Sequence, residues 1–143
     1  MNGKNYYFFT NQEFTELIAA NQMLEYTSFN GWYYGTTFGA LSAEKVNIGV
    51  FNPAGIYSLL KLSDIDLTVV RIYASEKDRL LRQLNREECP NVEEIVRRYS
   101  TDKEDFKKFL EYDFTGIKYL TLYNDTMKDY ALNVYKILSL AAS

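Results

Sequence analysis

Residues 21–36, NQMLEYTSFNGWYYGT, combine two apolar and aromatic runs with a central Asn-Gly turn signal. This pattern predicts a β-hairpin with strands over residues 23–29 and 32–38. Two glycines bracket the aromatic run of the second strand, and glycine permits a tight turn or a close approach of the backbone to a ligand. The hairpin therefore determines the fold of the N-terminal part of the chain.

One acidic residue, Glu25, lies inside the first predicted strand. Because side chains alternate along a strand, Met23 and Thr27 are predicted to share a face with Glu25. A carboxylate on that face, beside tyrosine hydroxyls and Thr36, is a compact set of acceptors and donors that suits a purine edge and a phosphate. The alternative interpretation places the two consecutive tyrosines of the second strand in a β-rich core and leaves the carboxylate solvated.

The remaining elements are predicted from periodicity and capping signals. A short aromatic strand over residues 4–9 precedes a helix that the capping box of Thr10 and Glu13 starts near Asn11. After the hairpin, strands are predicted over residues 45–51, 67–73 and 117–123. Helices are predicted over residues 53–62 and 92–112, and two more are predicted to begin at Ser75 and after a cap at Asp125. This alternation of strand and helix indicates a parallel sheet.

Composition excludes several classes of function. With 143 residues, 47% hydrophobic and 24% charged, the chain has the composition of one soluble globular domain. Its net charge of −3 provides no basic field for nucleic acid, and no apolar run approaches the roughly 18 residues of a membrane helix. The single cysteine, Cys89, fits a reducing cytoplasm. The absence of histidine excludes histidine-based triads and histidine-ligated zinc.

Several ordered motifs resemble those of guanylate kinases. They are NGKNYYF, LEY, G-x-Y-Y-G-T, a set of spaced arginines and YND, and together they cover nearly the whole chain. The resemblance implies an α/β fold, with a guanylate-kinase-like three-layer core containing a parallel sheet, a small antiparallel monophosphate-binding lobe and a helical lid. It also implies a single domain over residues 1–143, with the lobe at 1–42, the core at 43–143 and the lid near 82–98.

The resemblance assigns a GMP-binding role to four residues of the lobe. Tyr6 and Tyr34 correspond to tyrosines that bind the GMP phosphate. Glu25 corresponds to the acid that pairs with the guanine N1 and N2 hydrogens, and Thr36 to the hydroxyl that helps to read the base. A carboxylate that faces two N–H donors makes a charge-assisted contact, and adenine offers no such pair.

Further site residues are implied after the lobe. Arg82, Arg86 and Arg97 match the catalytic lid arginines, which stabilise charge during phosphoryl transfer. The spacing of the first two predicts a shared helical face, and a solvated surface is the alternative interpretation. Asn124 and Asp125 match residues on the adenine side of the ATP site, although by themselves they indicate a helix cap.

Two departures from the family pattern bear on catalysis. The family begins with a strand, a G-x-x-x-x-G-K-[ST] phosphate loop, a helix and an Arg-rich segment, and the 143 residues contain no such loop. The family's D-x-D strand end is Val50 and Asn52 here, which bring no charge for a metal. We therefore predict no metal ligand, and expect ATP and Mg to be used only if a phosphate loop is supplied elsewhere.

The missing strand also affects the predicted sheet. In the resembled fold it lies between the strands that correspond to residues 45–51 and 67–73. Unpaired backbone groups inside a core cost roughly 1–3 kcal/mol each. We therefore expect these two strands to pair directly, and the alternative is that another chain or a second copy fills the gap.

Three hypotheses of function follow. The first is a guanylate kinase relative whose working form includes a phosphate-loop segment that is supplied elsewhere, for example by a partner, or that is lost from this gene model; self-association is a further possibility. The second is a cytoplasmic pseudoenzyme that binds GMP or a related nucleoside monophosphate and is inactive as an isolated chain. The third is a protein-interaction or regulatory module that uses the phosphate-binding tyrosine and arginine surface. Neither nucleic acid nor a membrane is an expected partner.

Overall fold

The structure, a computed structural model, describes residues 6–29 and 31–142. The chain forms two compact units, Met1–Ile65 and Asp66–Ser143. The first contains an antiparallel pair of strands and the second a parallel pair, and each carries helices. The predicted mixed α/β class, with a parallel sheet and a small antiparallel sheet, is confirmed.

The first unit begins with the predicted helix and hairpin. Helix α1, Asn11–Ala19, starts with a capping box in which the Glu13 backbone N–H donates to Thr10 Oγ1 over 3.2 Å and the Thr10 backbone N–H donates to Glu13 Oε2 over 2.7 Å. Strands β1, Met23–Phe29, and β2, Trp32–Thr37, pair antiparallel. The capping signal and the turn signal therefore both predicted the local structure correctly.

Helix α1 covers one face of the hairpin. The buried ring of Phe14 stacks on Tyr33 at a centroid distance of 5.2 Å and meets the edge of Tyr26 at 6.5 Å. Asn11 Nδ2 also donates to the Gly31 carbonyl over 3.2 Å. These contacts place α1 against the face that carries Tyr26 and Tyr33.

A short helix packs against the first strand of the hairpin. After a 3₁₀ turn at Phe38–Ala40, helix α2 spans Pro53–Leu59, with proline in its first turn as predicted. It contacts β1, and Leu59 is among the most buried side chains of the unit. Asn52 caps the helix by accepting a hydrogen bond from the Gly55 backbone N–H over 2.8 Å.

The second unit is built on a parallel pair of strands. Strand β3, Thr68–Tyr73, pairs with β4, Lys118–Tyr123, in a register that sets Val69 opposite Tyr119. The helices are α3, Glu76–Leu84, α4, Val92–Leu110, and α5, Met127–Ala141. Each begins close to its predicted start.

Aromatic packing and one buried amide fix the helices of this unit to the sheet. Phe109 of α4 lies 5.0 Å from the ring of Phe114, which stacks at 4.6 Å on Tyr119 of β4. Asn133, on the inner face of α5 and only 7% exposed, donates through Nδ2 to the Tyr123 carbonyl over 2.6 Å. The end of β4, where the candidate ATP-side residues follow, is therefore held by α5.

Two predicted strands are corrected. Residues 45–51 form no strand, so the predicted direct pairing with residues 67–73 is wrong. Val46, Ile48 and Val50 are 63%, 66% and 100% exposed, which shows that apolar alternation alone does not make a strand without a backbone partner. Of the predicted strand at 4–9, residues 4 and 5 lie outside the described residues, Tyr6 forms an isolated bridge and residues 7–9 are irregular.

No helix within residues 6–29 and 31–142 is both long enough and apolar enough to cross a membrane.

Candidate functional site

The hairpin brings Glu25 and Thr36 together. These residues are direct partners in the register of β1 and β2, and Thr36 Oγ1 donates a 2.8 Å hydrogen bond to Glu25 Oε1. The contact is partly buried, and the carboxylate retains a second oxygen. The structure therefore forms the acceptor and hydroxyl pair that the sequence predicts.

A β-bulge corrects the predicted face of Met23. The register shifts between Met23 and Glu25, so Met23 pairs with Thr37 while Glu25 pairs with Thr36. The Met23 methyl group lies 2.8 Å from the position that a Gly35 Cβ would occupy, beside Tyr26. Met23 is therefore on the face opposite Glu25.

Gly35 permits the close approach of the two strands at this point. A Cβ at Gly35 would overlap the Glu25 carbonyl oxygen and would lie 2.8 Å from Tyr26 Cβ. The predicted role of this glycine as a point of close approach thus applies to the hairpin backbone. Only a residue without a side chain leaves the Glu25–Thr36 register undisturbed.

A second glycine joins Glu25 to the start of α2. A Cβ at Gly55 would lie 3.4 Å from Glu25 Oε2 and 3.3 Å from Asn52 Oδ1. The carboxylate and the capping amide are therefore neighbours on either side of a buried glycine. Sequence reasoning assigned Asn52 to a metal position and did not connect it to Glu25, because the two lie 27 residues apart with an irregular segment between them.

The two candidate phosphate-binding tyrosines are exposed. Tyr34, opposite Thr27, shares the face of Glu25 by strand alternation and is 56% exposed, and Tyr6 is 69% exposed. The alternative interpretation, that both tyrosines pack in a core, therefore applies only to Tyr33, which stacks on Phe14. Tyr34 does not pack in this way. Within the described part of the chain no hydrogen bond joins either candidate phenol to Glu25.

The candidate lid arginines do not share a helical face. Arg82 lies in the last turn of α3 and donates through Nη2 to the Asp125 carbonyl over 3.1 Å. Helix α3 ends at Leu84, and Arg86 lies in the exposed bend after it, so the prediction of a shared face is wrong. The helix ends early because Asn85 caps it and a polar, charged segment follows.

Arg97 on α4 is paired with a carboxylate of its own helix. Its Nε and Nη2 donate to Glu94 over 2.7 and 2.8 Å, and Arg98 Nε donates to the same carboxylate over 2.7 Å. These hydrogen bonds lower the pKa of Glu94 from 4.5 to about 2, and the hydrogen bond from Arg97 is the larger cause. The Arg97 guanidinium, predicted to contact phosphate, is thus paired with an acid in this structure.

An exposed network connects α3 and α4. Lys103 on α4 forms a 3.2 Å ion pair with Glu76 on α3. The pKa of Glu76 is lowered, mainly by a hydrogen bond from the Tyr99 hydroxyl and next by one from Lys103. The hydrogen bond between Tyr99 and Glu76 also raises the pKa of Tyr99. These contacts join α3 to α4 at positions that flank the predicted lid near residues 82–98.

The predicted helix cap at Asp125 is wrong. Thr126 caps α5 and forms a capping box with Asp129, whereas Asp125 Oδ1 accepts from the Ser75 backbone N–H over 2.9 Å. Asp125 thereby joins the segment after β4 to the start of α3. Its neighbour Asn124 has a buried side-chain oxygen without a hydrogen-bond partner among the described residues, an acceptor that a ligand amino group would satisfy.

The side chains at positions 50 and 52 do not suit Mg²⁺ as ligands. Val50 has no donor, and the Asn52 oxygen is engaged by Gly55. Mg²⁺ prefers carboxylate oxygens, and the described residues contain no group of three or more His, Cys, Asp or Glu side chains that could hold a metal ion.

Comparison with known proteins identifies similar sequences. The family model for guanylate kinase matches residues 1–139. The chain is 30% identical over 142 aligned positions to a guanylate kinase of Lactococcus lactis subsp. lactis, covering 96% of this chain and 66% of the relative. It is 31% identical over 117 positions to a guanylate kinase of Wigglesworthia glossinidia brevipalpis, covering 78% of this chain and 56% of the relative.

A shorter stretch is more similar. Over 39 positions, which is 27% of this chain and 19% of the relative, it is 54% identical to a guanylate kinase of Lactobacillus delbrueckii subsp. bulgaricus. The chain therefore spans between about half and two thirds of the length of the first relatives that it matches along most of its own length.

Proposed function

This chain belongs to the guanylate kinase family, and we propose that it binds GMP on the hairpin face that carries Glu25 and Thr36. The observation that supports this proposal most strongly is the 2.8 Å hydrogen bond from Thr36 Oγ1 to Glu25 Oε1. It orients the carboxylate and leaves Oε2 as an acceptor for the N1–H of a guanine base. A charged acceptor held in place in this way favours a base with an N–H donor at N1 over adenine, which has an acceptor there.

The phosphate of GMP is proposed to meet the exposed phenols of Tyr6 and Tyr34. Tyr34 lies on the same face as Glu25, two residues before Thr36 on β2, and its hydroxyl is accessible. Phenols are neutral donors, so they provide less attraction for a dianionic phosphate than arginines do. We therefore expect weak binding from the chain alone.

The second unit, taken by itself, carries the residues that are proposed to bind ATP. Asn124 supplies the buried unpaired acceptor, and Arg82, Arg86 and Arg97 supply positive charge. Arg97 becomes available to a phosphate only when it leaves Glu94. Asp125 is proposed to position the chain by its bond to Ser75 rather than to contact the base.

Phosphoryl transfer is not proposed for the 143 residues alone. Transfer requires backbone N–H groups and a lysine around the ATP phosphates, and the sequence contains no G-x-x-x-x-G-K-[ST] pattern. Activity is proposed only for a form in which a phosphate loop is supplied by a partner or by further sequence. A coupled ADP-release assay with ATP and GMP tests this, and turnover near the roughly 1–100 s⁻¹ of kinases would contradict it.

Calorimetry with GMP and AMP tests the binding proposal. We expect GMP to bind more tightly than AMP, and the preference to disappear in Glu25→Gln, because the amide presents a donor to the guanine hydrogens. Glu44→Gln, which removes an exposed acid of the same unit, is the matched control and should retain the preference. Equal affinity for GMP and AMP in the native chain would contradict the proposal.

The same measurement addresses the interaction-module alternative. A phosphotyrosine peptide titrated into the chain should not displace GMP if the base contact at Glu25 provides the specificity. Displacement at equal concentration, combined with no discrimination between GMP and AMP, would instead favour a module that recognises phosphorylated peptides.

A further inference from the structure

One carboxylate holds two neighbouring arginines on the surface of α4. Glu94 Oε2 accepts from Arg97 Nε over 2.7 Å, and Glu94 Oε1 accepts from Arg97 Nη2 over 2.8 Å and from Arg98 Nε over 2.7 Å. Both oxygens of the carboxylate are therefore engaged, and Arg97 binds it with two donors. The side chains of Glu94, Arg97 and Arg98 are 35%, 43% and 61% exposed, so a dissolved anion can reach them.

The carboxylate occupies the N–H groups that a phosphate would use. A planar guanidinium binds carboxylates and phosphates through the same pair of parallel donors. Because Nε and Nη2 of Arg97 both donate to Glu94, a phosphate can take these two donors only by displacing the carboxylate. Arg82 differs, since its Nη2 donates to the Asp125 carbonyl, a neutral acceptor.

An open cavity lies beside the ion pair. Its volume is about 320 Å³, and Asn91, Glu93, Glu94 and Arg97 line it. Two acidic side chains therefore face the same space, but the three hydrogen bonds from the arginines go to Glu94 and not to Glu93. This difference makes the two adjacent acids a matched pair for an experiment.

We propose that Glu94 is an autoinhibitory carboxylate, which competes with the phosphate groups of a bound nucleotide for Arg97 and Arg98. The inference rests on the ATP binding that is proposed for the second unit. A triphosphate carries several negative charges, so it can displace a carboxylate that carries only one, but part of its binding free energy is used to do so. Glu94 therefore lowers the affinity of this surface for phosphate without abolishing it.

The competing charge is present at neutral pH. The hydrogen bonds from the two arginines hold the pKa of Glu94 at about 2, so its carboxylate stays ionised there. Only an anion that binds the guanidinium groups in its place, or a substitution of Glu94, releases them.

Calorimetry with inorganic tripolyphosphate, which has the phosphate chain of ATP without its nucleoside, tests the inference. We expect Glu94→Gln to raise the affinity about fivefold, the size of an exposed ion pair of good geometry. Glu93→Gln is the matched control, because it removes the same charge from the same cavity, and its affinity should stay within about twofold of the native value. In an Arg97→Ala background, Glu94→Gln should raise the affinity by a smaller factor, because one of the two competing donors is absent.

The outcomes separate the inference from the proposed function. An unchanged affinity in Glu94→Gln, or equal gains in Glu94→Gln and Glu93→Gln, overturns the autoinhibitory role of Glu94 and leaves the proposed phosphate binding intact. Failure of the native chain and of both variants to bind tripolyphosphate overturns the inference together with the proposed ATP binding. GMP binding at the hairpin is measured separately and does not depend on either result.

Discussion

Gly35→Ala tests whether the close approach of the strands sets the register of the site. The added methyl group would overlap the Glu25 carbonyl oxygen and lie 2.8 Å from both the Met23 methyl carbon and Tyr26 Cβ. One of these atoms is backbone, so a rotamer change cannot relieve the overlap. Crowding of this kind costs about 1–3 kcal/mol, a large fraction of a total stability of about 5–15 kcal/mol.

Urea unfolding followed by amide NMR signals of the hairpin measures this cost. A loss of about 2 kcal/mol lowers the unfolding midpoint by about 1 M, given the usual dependence of stability on urea. Gly39→Ala is the control, because its nearest contact to an added Cβ would be at 3.9 Å, with Thr37 Oγ1. If both variants unfold at the midpoint of the native chain, the argument that Gly35 sets the register is refuted.

Three further predictions concern individual contacts. Thr36→Val should weaken GMP binding about tenfold in calorimetry, because it removes the donor to Glu25. Thr27→Val, on the same face, is the control, and its GMP affinity should stay within about twofold of that of the native chain. Equal losses in the two variants would contradict the role of the Thr36 hydroxyl. The pKa of the Glu94 carboxyl, measured by NMR, should be about 2. Its ion pairs therefore contribute fully to stability above the unfolded pKa of 4.5, and this contribution is lost as the pH falls through about 2. A titration midpoint near 4.5 would show that the ion pairs do not form. Asp125→Ala should lower the free energy of unfolding by about 1 kcal/mol, because it removes the acceptor of the Ser75 N–H. Asp125→Asn retains that acceptor and should keep the native stability. Equal stability of the two variants would contradict the contact between Asp125 and Ser75.

Sequence reasoning was most successful where the signal was local. The Asn-Gly pair and strand alternation predicted the hairpin, and Thr10 with Glu13 predicted the start of α1. The same local information predicted that Glu25 and Thr36 lie together, because the turn fixes which residues face each other across a hairpin. Each of these features depends on residues within about fifteen positions of one another.

Features that depend on non-local partners were not predictable. Residues 45–51 have a strand-like pattern but no backbone partner, and the structure leaves them irregular. The approach of Asn52 to Glu25 depends on α2 packing against β1 across a buried glycine. Likewise, Asp125 has the sequence position of a cap, yet its carboxylate binds Ser75, 50 residues earlier.

The central claim, that Glu25 reads the base, is tested most directly by a crystal structure of the chain with GMP. The account predicts guanine N1 within about 2.7–2.9 Å of a Glu25 carboxylate oxygen, with Thr36 still donating to the same side chain. A guanine base bound elsewhere, or bound here with its N1–H directed away from Glu25, would contradict the account.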